Sequence, residues 1–580
     1  MPSTNLDNIR HSLAHILAAV VQKKFPDVKL GIGPVIDDGF YYDFKFATPI
    51  SEEILPELEV EMKKLIEQNL AFSGKKITAT EAKKLFHDQP FKLELTDEFT
   101  KESQELTTYQ TGEAFIDLCR GGHVKNTEEI NPNSFKLTRL AGAYWRGSEK
   151  NPMLTRIYAL AFNTKAELDT KLAQLEEAKK RDHKKLGPEL DLFVFSELVG
   201  SGLPLFTPKG TILRDSLDNF VWELRKKHGY QRVDIPHITK KELYEKSGHW
   251  EKFKNDLFKI TTREGHLFAM KPMNCPHHAQ IYARKQWSYR ELPQRYASTT
   301  KVYRDEQSGE LAGISRVISI TQDDAHVFCR YTQIKEEILK VWDIIETFYG
   351  AFKFNLDITL SLHDPKEREK YLGSPERWHE AEHTLRDIAQ SKKINPKEAI
   401  GEAAFYGPKI DFIAHDSIGR TWQVATIQLD MNQPEGFDLT CINEKGEKER
   451  IVMIHAAIMG SIERFMSVLI EHFAGRFPVW LAPVQVVIVP ISEKQADYAK
   501  EIENLLNQQN IRVETNLANE TLGKRIRNAE HAKIPYILVV GEKEAESKTV
   551  TPRQNGKNLE AINLENFIEK INHEIKTKQI

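Results

Sequence analysis

Leu168, Leu172 and Leu175 recur at helical spacing among Lys, Glu and Asp through residues 164–186, until Gly187-Pro188, and predict a connecting helix solvated on one side. Before it, Ile9, Leu13, Ile16, Leu17 and Val20 form one apolar stripe on a helix beginning near Leu6, with His11 and His15 on the opposite face and therefore outside a core. A strand-like run follows at residues 39–44. Beyond the connecting helix, β-type alternation dominates residues 301–328 and 420–430, and an amphipathic helix is expected at 460–473. From Val484 onward strands (484–489, 511–514, 536–540) alternate with helices, the pattern of a small α/β sheet domain. The chain therefore reads as an α+β multidomain protein: a compact α+β domain over 1–163, a linker helix over 164–187, the largest domain over 188–478 and an α/β domain over 479–580.

A length of 580 residues supports three or so domains, each with its own core. The net charge of -3 excludes a uniformly basic nucleic-acid coat, so a polyanion would have to meet local basic clusters. Cys119, Cys275, Cys329 and Cys441 are too dispersed for a disulfide framework and suit a reducing compartment. The first residues lack a basic start followed by an apolar run, and no stretch approaches the length of a membrane span. A cytoplasmic protein is expected.

Candidate chemistry concentrates in the largest domain. If 314–328 is a strand, Arg316, Gln322, Asp324 and His326 share one face, which is either solvated or part of a site. Arg304-Asp305-Glu306 ends the preceding strand beside a polar loop, where a planar guanidinium is well placed to grip a phosphate. Gly460-Ser461-Ile462-Glu463-Arg464 opens the amphipathic helix; small residues there allow close approach of a nucleotide, with Arg464 beside it. Cys275, His326 and His455 offer a thiolate and two nitrogens, leaving a fourth zinc position open to substrate. Their separations exclude a local zinc finger, and any one of them alone would be ordinary core. In the first domain, His11 and His15 meet on one helix surface beside Ala14 and Ala18, and Asp117-Leu118-Cys119-Arg120-Gly121-Gly122-His123 supplies further ligating side chains; spacing alone admits a metal here.

These motifs resemble the three signatures of class II aminoacyl-tRNA synthetases: Gly229-Tyr230-Gln231-Arg232-Val233-Asp234-Ile235-Pro236 the first, a dimer-interface motif ending in proline, Arg304-Asp305-Glu306 the second and Gly460 to Arg464 the third. Within that class the set Cys275, His326 and His455, with Asn274-Cys275-Pro276, Thr321 to His326, Tyr406-Gly407-Pro408-Lys409 and Trp480-Leu481-Ala482-Pro483-Val484-Gln485, is similar to the threonyl-tRNA synthetase family from about His11 to the C-terminus. The resemblance implies an antiparallel-sheet catalytic core, an α+β editing domain and an α/β anticodon-binding domain. It implies a homodimer that uses threonine, ATP with Mg²⁺, tRNA(Thr) and one Zn²⁺ per subunit.

The same resemblance implies roles. Arg304 would bind the α-phosphate, Arg464 would flank adenine and phosphates, and Lys409 would join them; Gln423, Thr426 and Gln428 would line the adenylate, with Met273, Gln322, Asp324, Tyr406 and Ser461 around the substrates. Thr426 and Gln428 share a strand face but Gln423 does not, so a bulge or strand end is required. His249, in Ser247-Gly248-His249-Trp250, would move a proton during transfer to tRNA, or else be a surface loop histidine. Zinc held to the amino and hydroxyl groups of threonine, with Asp324 accepting from the hydroxyl, would reject valine by roughly ten-thousandfold; serine lacks only a methyl, worth about 1–3 kcal/mol, and would leak through. The first domain would then hydrolyse seryl-tRNA through His11, His15, Lys92, Asp117, Cys119 and His123, activating water without a metal. Gly122 stands where relatives often have proline, which could loosen this turn. Ten residues precede His11, implying the bacterial type without the N-terminal ubiquitin-like domain. Asn519, Glu544 and Arg553 would read anticodon bases, while Lys524, Arg525 and Arg527 would hold phosphates or form a solvated surface. The rival readings are a non-catalytic paralogue sensing tRNA or amino acid, expected to lack Arg304 or Arg464, and a zinc-dependent deacylase.

Overall fold

The computed structural model describes residues 5–580, in two compact units, Met1–Glu177 and Ala178–Ile580.

In the first unit the helix Asn5–Lys24 is buried over most of its circumference. Its apolar stripe packs into a core with Phe40, Tyr42 and Phe44 of the strand Gly39–Lys45. That strand pairs with Met153–Ala161, which pairs with Phe135–Tyr144. A second sheet of three strands, Phe72–Lys76, Thr107–Thr111 and Phe115–Leu118, brings its last strand toward the helix. The face carrying His11 and His15 is thus also covered. His15 is 2% exposed, which corrects the expectation of histidines outside the core: Ala14 and Ala18 are small enough for a second layer to close over this face.

The connecting helix runs over Lys165–Arg181 and ends earlier than the leucine spacing predicts. Asp182 is extended and caps a separate helix, His183–Glu189, accepting from the Lys184 N–H, and Pro188 lies within that second helix.

The second unit is organised around an eight-stranded, largely antiparallel sheet. At its centre Gln294–Tyr303, Ser319–Cys329, Val452–Ser461, Thr421–Asp430, Lys409–His415 and Asn355–Leu362 pair in that order. Alternation divides the faces. Ala325, Val327, Ile410, Phe412, Ile427, Leu429, Ile454 and Ala456 look into one hydrophobic core with the helices Pro208–Lys227, Ile334–Gly350 and Ile462–His472. Each Val, Ile, Leu or Phe among them contributes about 1.5–3 kcal/mol on burial. The opposite face is left for polar chemistry.

Two sequence expectations change here. The strand begins at Ser319, so Arg316 lies in the preceding loop and pairs with Glu306 and Glu310 instead of sharing the face of Asp324 and His326. Within residues 229–236 only Gln231–Arg232 is strand, running parallel to Gln294–Tyr303 at the sheet edge.

Residues 486–577 of this unit form a smaller α/β layer. The parallel strands Val513–Thr515, Val486–Pro490 and Tyr536–Val540 are extended by the antiparallel Thr549–Gln554.

Candidate functional site

The polar face of the large sheet is the floor of a cavity of about 380 Å³ lined by Met273, Arg304, Gln322, Asp324, Tyr406, Gln423, Thr426, Gln428, His455, Ser461 and Arg464. Register explains the grouping. His326 lies opposite His455 and Asp324 opposite Ala457, while Thr426 and Gln428 lie opposite Ala457 and His455 on the other side. The bulge required to bring Gln423 to this face is present. Pairing with Lys409–His415 slips between Phe412 and Ile413, leaving Val424 without a partner.

Beside the cavity, where His455 lines it, ligand atoms of Cys275, His326 and His455 lie within 4.8 Å of one another, all buried. Cys275 opens the helix Cys275–Tyr282. His455 Nε2 is 2.9 Å from Asp430 Oδ2, so it carries the proton, and Nδ1 turns a lone pair toward His326 Nε2 at 3.0 Å. His326 Nδ1 meets His278 Nδ1 at 2.8 Å, and His278 Nε2 meets Ser298 Oγ at 3.0 Å. In the hydrogen-bond assignment that runs from His326 through His278 to Ser298, two imidazole lone pairs face each other across a buried gap. Burial, reinforced by Asp324 and Asp430, pushes the Cys275 thiol well above its ordinary value, so a thiolate there needs a cation. Two convergent lone pairs and a buried sulfur fit a zinc ion, whose ligands at about 2.0–2.3 Å stand roughly 3.3–3.7 Å apart.

At the outer end two guanidiniums lack carboxylate partners. Arg304 donates to Met273 Sδ at 3.2 Å, lies over the Phe253 ring, and leaves its buried Nε without a partner. Arg464 stands in the first turn of Ile462–His472, which Ser461 caps. Among the described residues neither makes an ion pair, and burial lowers both from the ordinary arginine value while leaving them cationic. Such a pair attracts an anion. Asp324, raised by burial, accepts from Asn274 Nδ2 at 3.1 Å, and Tyr406 stacks on His455 while donating to Gln428 Oε1 at 2.5 Å.

Two expected participants stand apart. Lys409 does not line the cavity and pairs with Asp411 at 2.9 Å. His249 is no surface loop residue: it is fully buried, bonded to Ser247 Oγ at 2.8 Å, with Nε2 3.7 Å from Cys275 Sγ, and burial lowers it to about 3. Asp430 and His278 were missed. Yet His278 lies one turn from Cys275, and Asp430 is two residues along the strand face from Gln428, so both spacings were legible.

In the first unit the six expected residues converge. Cys119 Sγ is 3.5 Å from His11 Nε2 and 3.2 Å from His123 Nε2, and His123 Nδ1 is 3.2 Å from Ser12 Oγ. Lys92 and Asp117 form a buried pair at 2.6 Å, and Tyr42 donates to Asp117 at 2.6 Å. Burial lowers His123, packed between His11 and Phe72, to about 2 and raises Cys119 to about 12. Gly121 and Gly122 take φ of +95° and +85°, which proline's ring forbids; the turn is built for glycine and not a loosened proline turn. The ligand atoms of His11, His15, Cys119 and His123 also lie within 4.8 Å of one another.

Fully buried His15, His249, His278 and His326 are all lowered from 6.5 by burial. With folded values below the unfolded one, the unfolded chain gains protons first as pH falls below about 6.5. Stability is complete above that pH and falls by about 1.4 kcal/mol per unit for each such histidine as pH drops toward the folded values. The melting temperature of the full chain should therefore drop steeply from pH 7 to pH 5; an equal value at both contradicts this.

At the C-terminal edge of the parallel strands, Asn519 follows Val513–Thr515 and Glu544 follows Tyr536–Val540. Glu544 accepts from Thr551 Oγ1 at 2.9 Å, and Arg553, two residues on, donates to Glu530 at 2.7 Å and Asn558 at 2.9 Å. Arg525 is corrected: it is buried and donates to the carbonyls of Asn516 and Ile491, so it ties loops together and holds no phosphate. Lys524 pairs with Glu520, and Arg527 remains exposed.

The sheet, the capped helix bearing Arg464 and the strand-end Arg304 define a class II aminoacyl-tRNA synthetase. Residues 258–473 match the family model described as tRNA synthetase class II core domain (G, H, P, S and T), 485–574 the anticodon binding domain, and 106–158 the threonyl and alanyl tRNA synthetase second additional domain. The threonine–tRNA ligase of Thermotoga petrophila is 47% identical over 98% of this chain and 88% of its own length, and that of Acetivibrio thermocellus 47% over 99% and 89%. Solved structures titled as the RNA binding domain of threonyl-tRNA synthetase from Cryptosporidium parvum (36% identity, TM-score 0.65) and putative threonyl-tRNA synthetase ThrRS-1 from Aeropyrum pernix (31%, 0.62) each cover 68% of this chain, and 98% and 97% of their own. The chain belongs to the threonine–tRNA ligase family. It is an ATP-dependent ligase that joins threonine to tRNA, and its second additional domain fits editing; a non-catalytic sensor is not favoured.

Proposed function

We propose that threonine lies at the inner end of the large cavity and ATP at the outer end, with Cys275, His326 and His455 holding one zinc ion. Zinc would supply a Lewis-acidic anchor for the amino and hydroxyl groups of threonine. Asp324 accepts from the threonine hydroxyl while Asn274 donates to it; valine in its place removes the hydroxyl donor from a buried carboxylate, which is why it is rejected. The threonine carboxylate oxygen bonds to the α-phosphorus as the bond to pyrophosphate breaks. Arg304 and Arg464 receive the charge that builds on the phosphate oxygens, and Mg²⁺ bound with ATP would offset the charge of the leaving group. His249 donates toward Cys275 Sγ and steadies the sulfur, and Lys409 acts through Asp411. The single observation supporting this reading is that two guanidiniums without an ion-paired carboxylate line the same cavity as His455, a member of the convergent Cys–His–His set. Threonine-dependent exchange of pyrophosphate into ATP tests it: purified chain should exchange with threonine, and an equal rate with valine or without amino acid contradicts it.

We assign residues 1–163 to editing, 164–187 to the linker, 188–478 to catalysis and 479–580 to anticodon binding, in a cytoplasmic homodimer. In the editing unit, neutral His11, His15 and His123 with Cys119 orient a water at the seryl ester, and the Lys92–Asp117 pair fixes the wall behind them. His123→Ala should slow seryl-tRNA(Thr) hydrolysis by about a hundredfold or more, the scale of general acid–base catalysis, while exchange with threonine stays native. Deacylation at the native rate would exclude this role. Asn519, Glu544 and Arg553 read anticodon bases at the C-terminal edge of the small sheet.

A further inference from the structure

Four donors converge on one buried carboxylate beside the cavity. Asp411, 3% exposed, lies opposite Thr426 in the sheet register. Its Oδ1 accepts from Thr426 Oγ1 at 2.6 Å and Gln423 Nε2 at 2.8 Å, and its Oδ2 from Ser361 Oγ at 2.7 Å and Lys409 Nζ at 2.9 Å. So many donors require an ionised, acceptor-only group. A carboxylate also decides the orientation of the Gln423 amide, because the reverse orientation would set carbonyl oxygen against carboxylate oxygen.

The consequence is a fixed polarity on the cavity side. Thr426 has one hydroxyl hydrogen, and it is committed to Asp411, so its oxygen can only accept from a ligand. Gln423 gives one amide hydrogen to Asp411, which fixes the orientation of the amide and leaves Oε1 and the second N–H to meet a ligand. Gln428 is set the opposite way: Tyr406 donates to its Oε1, which leaves its NH₂ to donate. Along the strand Thr421–Asp430 the cavity thus meets a donor at Gln428, beside His455, then an acceptor at Thr426 and an oriented amide at Gln423. Neighbours on one strand face are about 7 Å apart. Thr426 and Gln423 therefore lie where an aminoacyl nucleotide anchored beside His455 extends past its phosphate, and the hydroxyls it carries there are those of ribose.

We propose that Asp411 is a positioning residue for the nucleotide: by committing the hydroxyl hydrogen of Thr426 and orienting the amide of Gln423 it makes Thr426 an acceptor for a ribose hydroxyl, turns Gln423 to meet the same ribose, and gives the site preference for a ribonucleotide. This rests on the cavity being the adenylate site. The test is threonine-dependent pyrophosphate exchange by the full chain with ATP, 2′-deoxy-ATP and 3′-deoxy-ATP. The native chain should show a KM for at least one deoxynucleotide about tenfold above that for ATP, as for the loss of one buried hydrogen bond. In Asp411→Ala that ratio should fall to about twofold or less with the KM for threonine little changed, a split that general loosening of the fold would not give. Should that variant fail to fold, Thr426→Val, nearly the same shape, should lose the discrimination and Thr426→Ser should keep it. Native exchange with no preference for ATP, or variants in which the KM values for ATP and both deoxynucleotides rise together, would overturn the inference alone. A native chain without threonine-dependent exchange would overturn the adenylate-site reading and the inference with it.

Discussion

Cys275→Ala is expected to reduce threonine-dependent pyrophosphate exchange by about a thousandfold or more, equivalent to about 4 kcal/mol in the barrier. The magnitude follows from what remains. Without the sulfur, His326 and His455 offer two nitrogens at 3.0 Å, with Asp430 still fixing one of them, and a two-nitrogen site falls short of the ligand count that zinc takes from protein at substrate-binding centres. The threonine amino and hydroxyl groups then lose their anchor together, and Asp324 alone cannot discriminate. Cys275→His, which returns a ligand nitrogen, should recover part of the rate. Steady-state exchange at saturating ATP with threonine varied measures this, and a variant within about threefold of native would show that the sulfur is dispensable.

Arg304→Ala should be nearly as severe, slowing exchange by about 10²–10³, the scale seen when one preorganised donor to a developing oxyanion is removed. Its guanidinium donates to Met273 and lies over Phe253, and among the described residues no carboxylate pairs with it; Glu306 and Asp256 act on it only through space, so its donors remain for the substrate. Arg304→Lys should restore only a fraction, because an ammonium cannot make the two parallel bonds of a guanidinium. The effect should be larger on kcat than on the KM for threonine, which binds at the other end of the cavity. A raised KM with kcat unchanged would place Arg304 in ground-state binding.

How much of this the chain discloses beforehand depends on the range of the interaction. Strand alternation set Asp324, His326, Thr426 and Gln428 on one face, because a period of two is a local property. The displacement of Gln423 even announced a bulge, found at Val424. Arg316 failed for a related reason: alternation continues into the loop before Ser319, and nothing local marks where pairing stops. His11 and His15 were placed outside the core because one helix shows only its first apolar layer. A second sheet, ending in Phe115–Leu118, closes over the other face, and that contact spans about a hundred residues of sequence. Asp411, Asp430 and His278 went unnoticed since their importance lies in which neighbour they orient, and partners such as Gln423, His455 and His326 become neighbours only when the sheet is assembled. Arg525 resembled a phosphate ligand until its two backbone acceptors were seen.

The decisive measurement is the metal content of purified native chain beside Cys275→Ala, by elemental analysis after exhaustive dialysis. One zinc per native chain and none in the variant is the predicted result. Native chain free of zinc, or equal zinc in both proteins, would contradict the assignment of Cys275, His326 and His455 as the centre that selects threonine, and two ions per chain would contradict metal-free editing by the His11, His15, Cys119 and His123 cluster.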